Sequence, residues 1–114
     1  MRELFAQGDL LVERIDEVHP SGSLTAPSDN GSFILAEGEL TGHSHAIFGR
    51  VTMFRDDGLA RDIPGGLYIG HINIEGPSAR VQHEEHAPLN LPKGTYRVRR
   101  QRELEPKDAR VVAD

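Results

Sequence analysis

Runs of alternating apolar and polar residues recur along this chain, and Gly, Pro, Asp and Asn punctuate them at short intervals. That pattern predicts strands, because strand side chains point to opposite faces in turn. Residues 9–16 form a first predicted strand, with Leu11 and Ile15 on one face and Leu10 and Val12 on the other. A polar stretch over residues 19–32 reads as a loop, with Asn30-Gly31 as a turn. Further strands are predicted at residues 33–40, 45–54, 67–74, 79–83 and 95–102. In the 45–54 run, His45, Ile47, Val51 and Met53 share a face. Asp57-Gly58 suits a hairpin turn, and Gly76-Pro77 is expected to turn the 67–74 strand back on 79–83. Residues 84–94 hold three turn formers, Pro88, Pro92 and Gly94, and read as a loop. Only residues 103–113 suit a short C-terminal helix, with Pro106 in its first turn. Six or seven short strands with almost no helical period predict an all-β fold, a small barrel or sandwich.

A length of 114 residues fits a single β domain over 1–114. Apolar residues make up 37%, which favours one buried sheet face and one wet face, or a small barrel. Cysteine is absent, so disulfides, thiolate metal sites and cysteine nucleophiles are excluded. The opening MRELFAQGDLL is too short in its apolar part and too acidic for a signal peptide, and no run approaches a membrane span. A cytoplasmic location is the expectation. Net charge is -5, made of -8 over residues 1–90 and +3 over 91–114. An acidic body with a basic last strand argues against general nucleic-acid affinity. Arg97, Arg99 and Gln101 share one face of that strand. They would contact an anion or RNA backbone, or protect a charged edge strand against aggregation.

The six histidines change the picture most. Four fall in two short patterns, His43-Ser44-His45 and His83-Glu84-Glu85-His86. Positions i and i+2 of a strand project from one face, so the first pair can converge on one ion. The second pair sits where a strand meets a turn, beside two carboxylates. His71 would join them if Gly76-Pro77 makes its strand antiparallel to the next. Such a set suits a divalent transition metal: zinc, iron, manganese, nickel or copper. A closed four-ligand site would be structural. With an open position, Glu84 or Glu85 would serve as general base on a metal-bound water, acting on a small-molecule substrate. The rival reading is a non-catalytic binding or assembly module, a homo-oligomer or partner-binding domain in which the histidines are incidental. No nucleophile elbow and no phosphate loop is present.

The stretches GELTGHSHAI and HEEHAPLNLPKGTYRVRRQRE resemble a small bacterial family. The likeness covers most of the chain and carries no activity with it. HxH after a glycine, with a later P-x-G, also resembles the cupins, β-barrels that hold a metal on two His, a Glu and a further His. That resemblance implies His43 and His45 as the HxH pair, Gly38 as the glycine, and Pro92-Lys93-Gly94 as the turn. The chain departs from it where Phe48, Gly49 and Arg50 stand in place of the Glu, and where His83 and His86 precede P-x-G.

Overall fold

The computed structural model describes residues 3–37 and 43–101. The chain is all-β, with eight strands among those residues: β1 Leu4–Gln7, β2 Leu10–Ile15, β3 Ser23–Leu24, β4 Phe33–Glu37, β5 Ser44–Phe48, β6 Val51–Arg55, β7 Tyr68–Gln82 and β8 Leu89–Arg100. They form one antiparallel sheet in the order β1-β2-β8-β7-β5-β4, with β6 on β7 and β3 on β6. β1 and β4 stand at the two ends of this order, so the sheet is open, not a closed barrel. No helix among the described residues is long and apolar enough to cross a membrane. The helix expected over residues 103–113 lies outside the described residues.

The β7–β8 hairpin is the spine. Its ladder runs from Tyr68↔Arg99 to Val81↔Leu89 and slips between Ile74 and Ser78. Buried apolar positions in β7 are Ile72 and Ile74 before the slip, Ala79 and Val81 after it. The parity of the inward residues therefore changes from even to odd across the slip. Residues 75–77 of β7 face only residue 93 of β8, an excess of two, and the inward parity of β8 changes there too, from Leu89 and Leu91 to Tyr96 and Val98, so both strands change face across the irregularity. Both halves of β7 and β8 then supply one core, with Leu10, Val12, Ile47, Leu91, Tyr96 and Val98 all fully buried. β6 borders the first half of β7 and β5 the second. Between β5 and β6 the chain turns at Gly49, whose φ is 137° and where a Cβ would sit 3.0 Å from that of Ala79.

Several expectations are corrected here. Gly76-Pro77 is no hairpin turn; it lies inside β7, in the slip, where a proline's missing N–H costs no ladder bond. The predicted 45–54 strand is two strands, because Gly49 takes a backbone that breaks it. Asp57-Gly58 joins Leu59 in a 3-10 turn capped by the Asp56 carboxylate. The expected loop over 84–94 is half strand, since β8 begins at Leu89, and Pro92-Lys93-Gly94 lies in that strand instead of forming the turn the cupin resemblance implies. β1 was not anticipated, being four residues of weak pattern that among the described residues pair only with β2.

β8 is also not an edge. It lies between β2 and β7, and its Arg97 is 9% exposed. The guanidinium donates to Glu13 at 2.9 and 3.1 Å and to Asp62 at 2.8 and 3.0 Å. The Arg97 charge is paired inside the fold.

Leu91→Ala is expected to cost about 2–5 kcal/mol in urea unfolding, because Leu91 is fully buried in the common core. Leu24→Ala, at a side chain 70% exposed, should change stability by less than about 0.5 kcal/mol.

Candidate metal centre

β5 places the first histidine pair. His45 has the same inward parity as Ile47 and is 1% exposed, while His43 precedes the strand and stays half-buried. Ala46 pairs with Gln82, the last residue of β7, so the chain leaves β7 directly opposite His45. The turn over residues 83–88 then carries the second pair. Ring centroids lie 4.4 Å apart for His45 and His83, 4.7 Å for His83 and His86, 5.8 Å for His43 and His83, and 6.3 Å for His45 and His86. Thus the two histidine clusters meet in space.

Carboxylates surround them. One donor atom from each of His43, His83 and Glu84 can be chosen so that all three lie within 4.8 Å of one another. Glu84 accepts the Ser44 backbone N–H at 3.1 Å, and backbone hydrogen bonds hold its carboxyl below the usual range. Glu85 reaches His43 Nδ1 at 3.7 Å, and its backbone N–H donates to His83 Nδ1 at 3.0 Å. Both glutamates are exposed.

Two further residues were invisible as site residues in the sequence. Gln7, at the end of β1, is 3% exposed. Its Nε2 donates to the carbonyls of Val81 at 3.1 Å and Ala87 at 2.9 Å, tying the two arms of the turn together. Its Oε1 lies 2.9 Å from His45 Nδ1. In the β1–β2 turn, Asp9 Oδ1 stands 3.3 Å from His45 Nε2, and Asp9 Oδ2 accepts from Arg100 at 2.6 Å. The turn's Gly8 has φ 60°, and a Cβ there would come within 2.7 Å of His86 Nε2. A glycine is thus required for both backbone and imidazole packing. Glutamine and aspartate beside a turn glycine have no periodic signature; only the β1–β2–β8 pairing brings them to the histidines.

His71 is not brought to this group. It is the fourth residue of β7, whereas His83 follows the strand's last residue. With no hairpin at Gly76-Pro77, β7 runs on and separates the two. His71 instead stacks on Phe54 at 5.2 Å and faces Tyr68 Oη at 2.7 Å. The Tyr68 hydroxyl accepts the Asp56 N–H at 3.1 Å and shares a second hydrogen bond with His71 Nδ1, which either tautomer of the ring can make. His71 Nε2 has no hydrogen-bond partner among the described residues. His19 lines a separate open groove of about 620 Å³, with Arg14, Glu17, Glu75 and Lys93.

Burial, and next the neighbouring His83, push the His45 pKa down from 6.5 to about 4, against the pull of Asp9. A neutral imidazole is the form that ligates a metal. Burial also lowers His71, with Arg97 adding to the effect.

A family model described as a domain of unknown function matches residues 6–101, which includes every residue of the pocket. No curated protein and no solved structure matches the chain.

The depressed His45 pKa makes the metal-free fold acid-sensitive. The unfolded chain binds more protons between about pH 6.5 and 4, so stability is full above that window and is lost as pH falls through it. From pH 7.5 to 5 the expected loss is about 2 kcal/mol from His45, with His71 adding in the same direction. Urea melts of chelated protein at the two pH values check this, and His45→Gln should flatten the slope.

Proposed function

This chain belongs to the family described as a domain of unknown function (DUF8820), and we propose that it binds a divalent transition-metal ion where His43, His45, His83 and His86 meet. One observation carries the reading: four imidazoles from segments about forty positions apart converge within ring separations of 4.4–6.3 Å, with carboxylates beside them. Incidental surface histidines have no reason to gather so, because proximity of like groups makes each harder to protonate. Imidazole with carboxylate suits zinc first, and also iron, manganese or nickel. Glu84 and Glu85, exposed beside the histidines, support an enzymatic extension. An ion with an open position would activate water for a small-molecule substrate, with either glutamate as base.

Metal analysis of purified, untagged protein tests the binding. The expected result is about one equivalent of metal per chain, lost in the His43→Ala/His45→Ala double variant. Zinc at 100 times its dissociation constant should add about 2.7 kcal/mol, raising the melting temperature by about 10 °C or more. An unchanged melting temperature with zinc, manganese, nickel and iron would overturn the reading.

The second reading is assembly through the sheet end. β4 pairs only with β5 among the described residues, and Ile34 and Phe48 expose apolar side chains, at 40% and 37%, on these two strands. A sheet edge beside apolar surface favours self-association, although β4 carries a bulge between Ile34 and Ala36. Sedimentation of wild type should then show a dimer that Ile34→Lys converts to monomer; a wild-type monomer removes this reading.

A further inference from the structure

We infer that Asp9 is a direct ligand of the ion, paired across it with His45 Nε2, and that Gln7 is the positioning residue that aims this nitrogen. The inference rests on the metal reading and specifies where the ion sits.

The argument begins at Gln7. Its Nε2 lies 3.1 and 2.9 Å from two backbone carbonyls, Val81 and Ala87, which can only accept. The orientation of the amide is therefore settled, and Oε1 is the atom facing His45. An amide oxygen only accepts, so the contact at 2.9 Å requires the proton of His45 to be on Nδ1. In the neutral ring Nε2 then presents a bare lone pair.

That lone pair faces a carboxylate. Asp9 Oδ1 lies 3.3 Å from Nε2, and an ionised carboxylate is also acceptor-only. Two acceptors at this distance repel unless a cation lies between them. The cation is either a second proton on His45 or a metal ion. The spacing suits the metal: two ligands about 2.1 Å from a tetrahedral ion stand about 3.4 Å apart.

Asp9 is held for this role. Arg100 occupies Oδ2 at 2.6 Å and also donates to the Glu37 carbonyl at 3.0 Å, and the Gln101 N–H donates to the Asp9 carbonyl at 2.8 Å. One carboxylate oxygen is thus fixed by the guanidinium and the other is turned to the pocket. His86 Nε2 and His45 Cε1 lie 2.7 and 3.4 Å from one point, the Cβ position above Gly8. Histidine ligands commonly have their far nitrogen bound to an amide or carboxylate oxygen, which is what Gln7 does for His45.

Zinc titration followed by calorimetry and by ring ¹⁵N resonances of the full chain tests this at pH 7.5. The metal-free wild type should show His45 as the Nδ1–H tautomer, with Nε2 shifting when zinc is added. Asp9→Asn, which keeps shape and loses charge, should weaken zinc at least about tenfold while the metal-free amide spectrum stays native. Gln7→Leu should scramble the His45 tautomer and weaken zinc by about 10–100-fold. Three results would overturn the inference with metal binding itself intact. These are Asp9→Asn binding within twofold of wild type, zinc leaving His45 Nε2 unmoved, or metal-free His45 being an imidazolium. A wild type that binds no zinc, manganese, nickel or iron overturns the metal reading itself, and this inference with it.

Discussion

The slip in the β7–β8 ladder is the constraint on which the rest depends. Without it β7 would keep one parity from Tyr68 to Gln82, and its two halves would bury opposite faces. With it, Ile72 and Ile74 share a core with Ala79 and Val81. The bend lets one open sheet enclose its own apolar side, and the chain needs no second layer of helices. It also decides the site. The phase after the slip places Val81 inward, and β7 then ends at Gln82 against β5, so His83 enters the pocket beside His45.

A second constraint acts at the pocket itself. Turns that carry chemistry must be held, and residues 83–88 have few apolar anchors, with Glu84 through Pro88 exposed. The buried Gln7 amide supplies the tie. It satisfies carbonyls on both sides of the turn, from a strand at the far end of the sheet order. β1 is only four residues long, yet its last side chain connects turn and imidazole. A buried polar group of this kind is costly unless every atom is paired, and here the donors and the acceptor all have partners.

The strand composition and both histidine patterns were legible from residue order, because period-two alternation and HxH spacing are local. What was not legible was non-local or depended on one backbone angle. Gly76-Pro77 has the composition of a turn, and only the pairing of β7 with β5, β6 and β8 keeps it extended. That misreading alone moved His71 into the candidate set. Gly49 broke a run whose alternation looked continuous. Arg97 looked like edge protection because its partners, Glu13 and Asp62, are far away in the chain. Asp9 and Gln7 carry no spacing signal at all; their relation to His45 exists only through the β1–β2 turn.

His45 and His71 show why burial alone does not make a ligand. Both are buried in the sheet, both are pushed toward the neutral form, and each has one ring nitrogen fixed by a neighbour. Nε2 is the nitrogen that remains in each, and they differ in what it meets. Tyr68 occupies Nδ1 of His71, and the remaining Nε2 has no hydrogen-bond partner among the described residues. Phe54 lies stacked on that ring. Gln7 accepts from His45, so its remaining nitrogen bears a lone pair, with a carboxylate and two more imidazoles around it. Surroundings thus divide a structural histidine from a candidate ligand: His71 lies in β7 against Phe54, and His45 in β5 beside Asp9 and His83.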